Sequence, residues 1–261
     1  MSVIKISAVS YLNTKPFLYG LEHSPIRDKM NISLDMPAQA AEKLLNDEVE
    51  ISLVPVAIIP QLEHPKIISP YCIGADGTVK TVCLFSNVPV EEIKTVYLDY
   101  QSRTSVQLVR VLFREFWKRD VIFAQANPGF ESELTDTTAG VIIGDRAIHF
   151  LEKYPYVYDL AEIWKTFTGL PFVFAVWLSK HPIDKDFTDE FNAALKNGLE
   201  HRQEVIKKNA SLNNSQFSVE TYLNQNIQYE LDAPKKKALM QFLGYMCADD
   251  RCKIPDLEFI Y

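Results

Sequence analysis

Five short stretches hold most of the side chains that could bind or transform a small molecule. They are Ser10-Tyr11-Leu12-Asn13-Thr14, Phe85-Ser86-Asn87, Asp99-Tyr100-Gln101-Ser102-Arg103-Thr104-Ser105, Gly144-Asp145-Arg146, and Lys165-Thr166-Phe167-Thr168-Gly169-Leu170-Pro171. Each adjoins an apolar run, so each reads as the tip of a strand. A single Ser, Thr or Asn at such a tip serves equally well as the cap of a following helix. The stretch 99–105 offers more than a cap requires, because Ser102, Thr104 and Ser105 stand beside the guanidinium of Arg103. Hydroxyls, helix N–H groups and a guanidinium together suit a carboxylate or a phosphate.

The elements that would carry these tips follow from hydrophobic periodicity. Residues 3–9 alternate as a strand, 37–46 start with Pro and carry an Ala/Leu stripe as a helix, and 51–54 form a short buried strand. A strand at 81–85 leads into the punctuated SNVPVEEI, which reads as a crossing between lobes. A second series runs through a strand at 95–98, a helix at 105–117, strands at 121–124 and 141–143, and a long apolar return strand at 171–177. In the 105–117 helix Leu108, Val109, Leu112, Phe113, Phe116 and Trp117 form a stripe that must face a sheet. Mostly helices follow, at 184–208, 218–224 and 234–246. Alternating strands and helices predict an α/β fold with a mainly parallel sheet. Two such series predict two lobes, 1–88 with 176–261 and 89–175, and a ligand cleft between them at the strand ends.

Composition excludes several classes. The 261 residues carry a formal net charge of −7 and a pI near 5.3, which disfavours a nucleic-acid surface. The basic run Lys235-Lys236-Lys237 is expected to be a solvated face. No apolar run approaches the roughly 20 residues that cross a bilayer, and the first residues lack a secretory pattern, so no membrane association and a cytoplasmic location are expected. Cys72, Cys83, Cys247 and Cys252 form no C-x-x-C unit, and the histidines are scattered. The expectation is therefore reduced thiols, no disulfide and no metal. Neither nucleotide-binding glycine motif occurs.

SYLNTKPF near the start, DYQSRTS, IGDRA and TFTGLPFVFAVW, in this order and spacing, resemble the chorismate dehydratase (MqnA) family of the futalosine route to menaquinone. The resemblance spans residues 3–180 and implies a type II periplasmic-binding-protein-like fold without a cofactor. It also implies chorismate as the small-molecule substrate, which loses water to give 3-[(1-carboxyvinyl)oxy]benzoate. Carried over residue by residue, Asn13 and Ser86 become active-site residues. Arg103, Thr104 and Ser105 are expected at a substrate carboxylate, with Arg103 paired to Asp99 as the alternative. Ser10, Tyr11, Ser102, Gly144, Thr168 and Gly169 are expected to border the substrate, with Tyr11 and Phe172 as apolar walls or plain core. The proton acceptor is either Asp145 or a carboxylate of the substrate; in the latter case Asp145 caps a helix and Arg146 is solvated. Two other readings compete: a non-catalytic solute-binding protein for a small anion, and the sister 1,4-dihydroxy-6-naphthoate synthase. Nothing in the sequence specifies an oligomeric state.

Overall fold

In the computed structural model, which describes residues 3–248 and 252–261, the chain begins with β1 (Ile4–Val9), α1 (Lys15–Glu22), β2 (Met30–Asp35), α2 (Pro37–Leu45), β3 (Ile51–Pro55) and β4 (Lys66–Ala75). It crosses to β5 (Val82–Ser86), β6 (Thr95–Leu98), α3 (Thr104–Val111), β7 (Ile122–Gln125), β8 (Thr138–Ile143), α4 (Asp145–Ile148), β9 (Tyr156–Asp159) and α5 (Leu160–Thr168). It returns through β10 (Phe172–Ser179) to α6 (Lys185–Glu200), α7 (Arg202–Lys208), α8 (Val219–Thr221), β11 (Gln228–Glu230), α9 (Ala233–Met246) and β12 (Glu258–Phe259). One sheet runs β11-β4-β10-β3-β1-β2, with β12 also on β4; the other runs β7-β6-β8-β5-β9. The result is a mixed α/β structure of two sheets.

Both sheets are mixed rather than mainly parallel. β1 runs parallel to β2 and β3, and β6 runs parallel to β7 and β8. The strands that arrive from the other sheet are reversed. β10 pairs antiparallel with β3 and β4, and β5 antiparallel with β8 and β9. A strand that crosses directly, without a crossover helix, enters its new sheet from the opposite end. The crossings also fall earlier than expected. β5 belongs to the second sheet and the whole of β10 to the first, so the chain passes over at 76–81 and back at 169–171 rather than near 88 and 175. β3, β5 and β10 are buried along their whole lengths, which explains their near-continuous apolar sequences.

The helix expected at 105–117 is α-helical to Val111 and continues as a π-helical turn, Leu112–Phe116. The long helix expected at 184–208 breaks at His201, and that at 218–224 is a short α-helical turn followed by the π-helical turn Tyr222–Asn226. α1 packs closely on α6 because Gly20 and Gly198 face each other: a Cβ on Gly20 would strike the Ala194 carbonyl, and one on Gly198 the Pro16 carbonyl. This contact clamps the helix that leaves the SYLNT corner.

Two expectations about charge and sulfur are corrected. Lys235 is buried, with Nζ 2.9 Å from Asp232 Oδ2, because the start of α9 turns its first exposed-looking Lys inward onto its own N-cap acid. Cys247 and Cys252 form a disulfide, their Cα atoms 4.8 Å apart and within bridging reach. Cys72 and Cys83 are free and buried.

Candidate active site

The two sheets meet around a cavity lined by residues of both lobes. Its apolar walls include Val9, Leu53, Ile73, Val82 and Phe174. Its polar residues come from three places: Asn13 and Thr14 after β1, Thr81 at the start of β5, and Ser102 to Ser105 at the start of α3.

The α3 approach is built from Asp99, which is almost fully buried. Its carboxylate accepts from the N–H groups of Gln101 at 2.9 Å and Ile143 at 3.0 Å, and Arg146 Nη2 lies 2.7 and 2.5 Å from its two oxygens. Arg146 also pairs with Glu131. It is thus a half-buried anchor and not the solvated residue of the helix-cap alternative, and it takes the place at Asp99 that was the alternative for Arg103. So held, the loop points the first turn of α3 at the cavity. Ser102 Oγ accepts from Ser105 N–H at 3.1 Å, capping one donor of that turn. The other N–H groups carry the partial positive charge of a helix start. Arg103 lies at the mouth, Nη2 3.0 Å from Glu42 Oε1 on α2 across the cleft, with both side chains largely exposed. Thr104 is fully engaged: its hydroxyl donates to the Phe174 carbonyl at 3.0 Å and accepts from Ala57 N–H at 3.3 Å. It straps the second lobe to the first.

The SYLNT corner is the opposite wall. The Tyr11 hydroxyl donates to Gln101 Oε1 at 2.7 Å. Its ring lies on Gly144, where an added Cβ would come within 2.6 Å of Tyr11 Cζ. Gly144 has φ +65° and ψ −155°, a backbone region that is essentially closed to other residues. Leu12 N–H donates to both oxygens of Asp145, at 3.1 and 3.2 Å. Burial raises the Asp145 carboxyl above its ordinary value. Asp145 is nevertheless absent from the cavity wall, and its geometry is that of a tie between the lobes. Asn13 Nδ2 donates to the Tyr222 hydroxyl at 3.2 Å, and that hydroxyl lies 2.8 Å from Thr81 Oγ1.

Of the expected residues, Tyr11, Asn13, Ser102, Arg103, Thr104, Ser105 and Gly144 share this cavity. Ser86 does not. In β5 the cavity end is Val82, paired with Ile143, whereas Ser86 pairs with Ala139; four residues of strand put it roughly 13 Å further off. Its hydroxyl accepts from Val88 N–H at 3.1 Å. Thr168 and Gly169 terminate α5: the Thr168 hydroxyl donates to Trp164 O at 2.8 Å, and Gly169 (φ +72°) closes the helix through its N–H to Lys165 O. Ser10 contacts Met36 Sδ at 3.9 Å, outside the wall. Phe172 is core, against Trp164 and Phe242, and Phe174 joins Tyr11 among the aromatic residues that line the cavity.

The residues that sequence reasoning missed are Thr81, Tyr222 and Glu42. Thr81 could have been found only by knowing that β5 is reversed, since the strand-end rule looks to carboxyl ends. Tyr222 carried no signal within a helical stretch. Among the described residues, no group of three or more His, Cys, Asp or Glu side chains could hold a metal ion.

This architecture is that of the periplasmic binding protein fold: two α/β lobes joined by crossing segments, with a cavity between them. Structural neighbours share it, including a protein of Archaeoglobus fulgidus (TM-score 0.75, 13% identity, 95% of this chain and 97% of that one). A Candida albicans gene product described as having the generic periplasmic binding protein fold matches with TM-score 0.61 at 12% identity, over 99% of this chain and 98% of that one. Residues 4–248 match the family described as menaquinone biosynthesis, and the chain belongs to that family. The chain is also similar to a chorismate dehydratase of Thermus thermophilus, 29% identical over 89% of this chain and 91% of that protein.

Proposed function

We propose that this protein is a chorismate dehydratase, a carbon–oxygen lyase that acts in the cytoplasm. Chorismate is a dianion with an enolpyruvyl ether and a neighbouring hydroxyl on a cyclohexadiene ring. Loss of one ring proton and that hydroxyl, together one water, gives the aromatic 3-[(1-carboxyvinyl)oxy]benzoate. The observation that carries the reading is the cavity itself. Apolar walls suit the ring, and one end presents a helix start and a guanidinium to a carboxylate. Family membership and the Thermus relative support the same reaction.

In this reading Arg103 and the N–H groups at the start of α3 hold one carboxylate. Asn13 and Thr81 meet the departing hydroxyl, and Tyr11 and Phe174 border the ring. Asp145 is outside the wall with both oxygens engaged by Leu12 N–H. The proton acceptor is then a carboxylate of the substrate, and the protein contributes mainly orientation, which can supply several kcal/mol of the barrier reduction, roughly 7–11 in favourable intramolecular cases. Aromatisation makes the step downhill, so fixing the substrate also keeps it from rearranging or shedding its pyruvate arm. The test is to mix the protein with chorismate and follow the ultraviolet spectrum and product mass. Loss of one water is expected. Chorismate that binds but stays unchanged would instead identify a capture protein.

A further inference from the structure

We infer that Tyr222 is a positioning residue that aims the hydroxyl proton of Thr81 at the occupant of the cavity; this rests on the dehydration reading above. Tyr222 is fully buried in the π-helical turn Tyr222–Asn226, and its hydroxyl bridges the two polar groups of the corner. Asn13 Nδ2 lies 3.2 Å away on one side and Thr81 Oγ1 2.8 Å away on the other. Asn13 Oδ1 accepts from Thr14 Oγ1 at 3.2 Å, which turns the amide nitrogen toward the phenol. An amide nitrogen only donates, so the phenol oxygen accepts there and its single proton goes to Thr81 Oγ1. Thr81 then accepts from Tyr222 and must send its own proton elsewhere. Thr81 lines the cavity, and among the described residues no other acceptor meets its hydroxyl.

The opposite polarity is unfavourable. If Thr81 donated to Tyr222, two donors would converge on the phenol oxygen and the phenol proton would be left buried without an acceptor. Burial raises the Tyr222 phenol far above its ordinary value, so it keeps that proton. The relay Asn13 to Tyr222 to Thr81 therefore delivers one oriented O–H into the site. Breaking the ring carbon–oxygen bond puts negative charge on the departing hydroxyl, and a fixed donor there is stronger in the transition state than in the ground state. No proton is transferred to or from the chain in this role.

The test measures kcat and KM for chorismate, with thermal unfolding as a control, in Tyr222→Phe, Thr81→Val and the double variant. Tyr222→Phe is expected to lose at least about tenfold in kcat, with KM within about threefold and the unfolding transition intact. The double variant is expected to fall no further than Thr81→Val alone. A Tyr222→Phe kcat within twofold of wild type, or losses that multiply, overturns the inference. Should Tyr222→Phe not fold, Asn13→Asp exchanges the amide donor for an acceptor, draws the phenol proton away from Thr81, and carries the same kcat expectation. A wild-type protein that removes no water from chorismate sinks both the functional reading and this role, whereas wild-type turnover with an unaffected Tyr222→Phe sinks this role alone.

Discussion

Neutralising Glu42 should tighten the binding of a dianion, because Glu42 stands where a substrate carboxylate would compete for Arg103. The two are 3.0 Å apart across the cleft mouth, with side chains 41% (Arg103) and 61% (Glu42) exposed. An ion pair so exposed couples by about 0–1 kcal/mol, which sets the size of the effect. Glu42→Gln should accordingly lower KM for chorismate by up to about fivefold, leave kcat near wild type and leave thermal stability unchanged. Arg103→Gln removes a charge-assisted hydrogen bond to substrate of about 1.5–3 kcal/mol, so KM should rise by roughly tenfold or more. The decisive measurement is the combination: in the Arg103→Gln background, Glu42→Gln should do little, since the cation for which it competed is gone. Steady-state kinetics at low and moderate salt supplies the second check, because the benefit of Glu42→Gln should shrink as ions screen the pair. A Glu42→Gln variant with raised KM, or one whose effect is the same with and without Arg103, would refute the reasoning.

Four further outcomes follow from the geometry. Ser86→Ala should keep wild-type kcat and KM in the chorismate assay, since Ser86 lies at the far end of β5; a large loss in either would return it to the site. Asp145→Asn keeps an acceptor for Leu12 N–H, so calorimetry should show a loss on the order of 1 kcal/mol while kcat persists; a hundredfold fall in kcat would reinstate Asp145 as the base. Gly144→Ala forces a side chain into a glycine-only conformation and against the Tyr11 ring; a loss of about 1–3 kcal/mol with raised KM is expected, and an unchanged melting temperature would contradict the geometry. Burial pushes Asp159 up to about 6 from 3.8, although the N–H groups of Val79 and Lys80 oppose the shift. The folded state alone holds that proton between those values, so the group's stabilisation is complete below pH 3.8 and lost as pH rises through 6. The loss is about 3 kcal/mol, and Asp159→Asn should flatten that part of the stability profile, whereas parallel profiles would exclude it.

The lobes were legible because hydrophobic period and punctuation are local signals. The apolar stripe of α3 and the unbroken apolar runs of β3 and β10 each fix an element from its own residues. DYQSRTS and SYLNT, which the fold brings to one cavity, were legible as candidates for a related reason: each holds more polar groups than its turn can use. The thresholds of that argument show in TFTGLP, where Thr168 and Gly169 are fully used in ending α5 and leave nothing for a ligand. The Cys247–Cys252 bridge and the inward turn of Lys235 were not legible, since both depend on where α9 sets its two ends.

Strand direction accounts for the remaining failure, and it bears on how the site works. In a parallel sheet every carboxyl end lies on one side, so polar tips collect there. A strand that crosses directly between lobes is reversed, and its amino end then faces the cavity. For β5 this exchanges Ser86 for Thr81, and for β10 it brings Phe174, near the strand's start, to the wall. Both residues lie next to segments that join the lobes. Thr81 follows Lys80, whose backbone has φ +67° and whose N–H is held by Asp159 at 2.6 Å. Phe174 supplies the carbonyl that accepts from Thr104. The groups proposed to meet the substrate are therefore tied to the same backbone that joins the lobes. In the proposed reading, the alignment of Thr81 and Phe174 with the substrate is thus tied to the strands that cross between the two sheets.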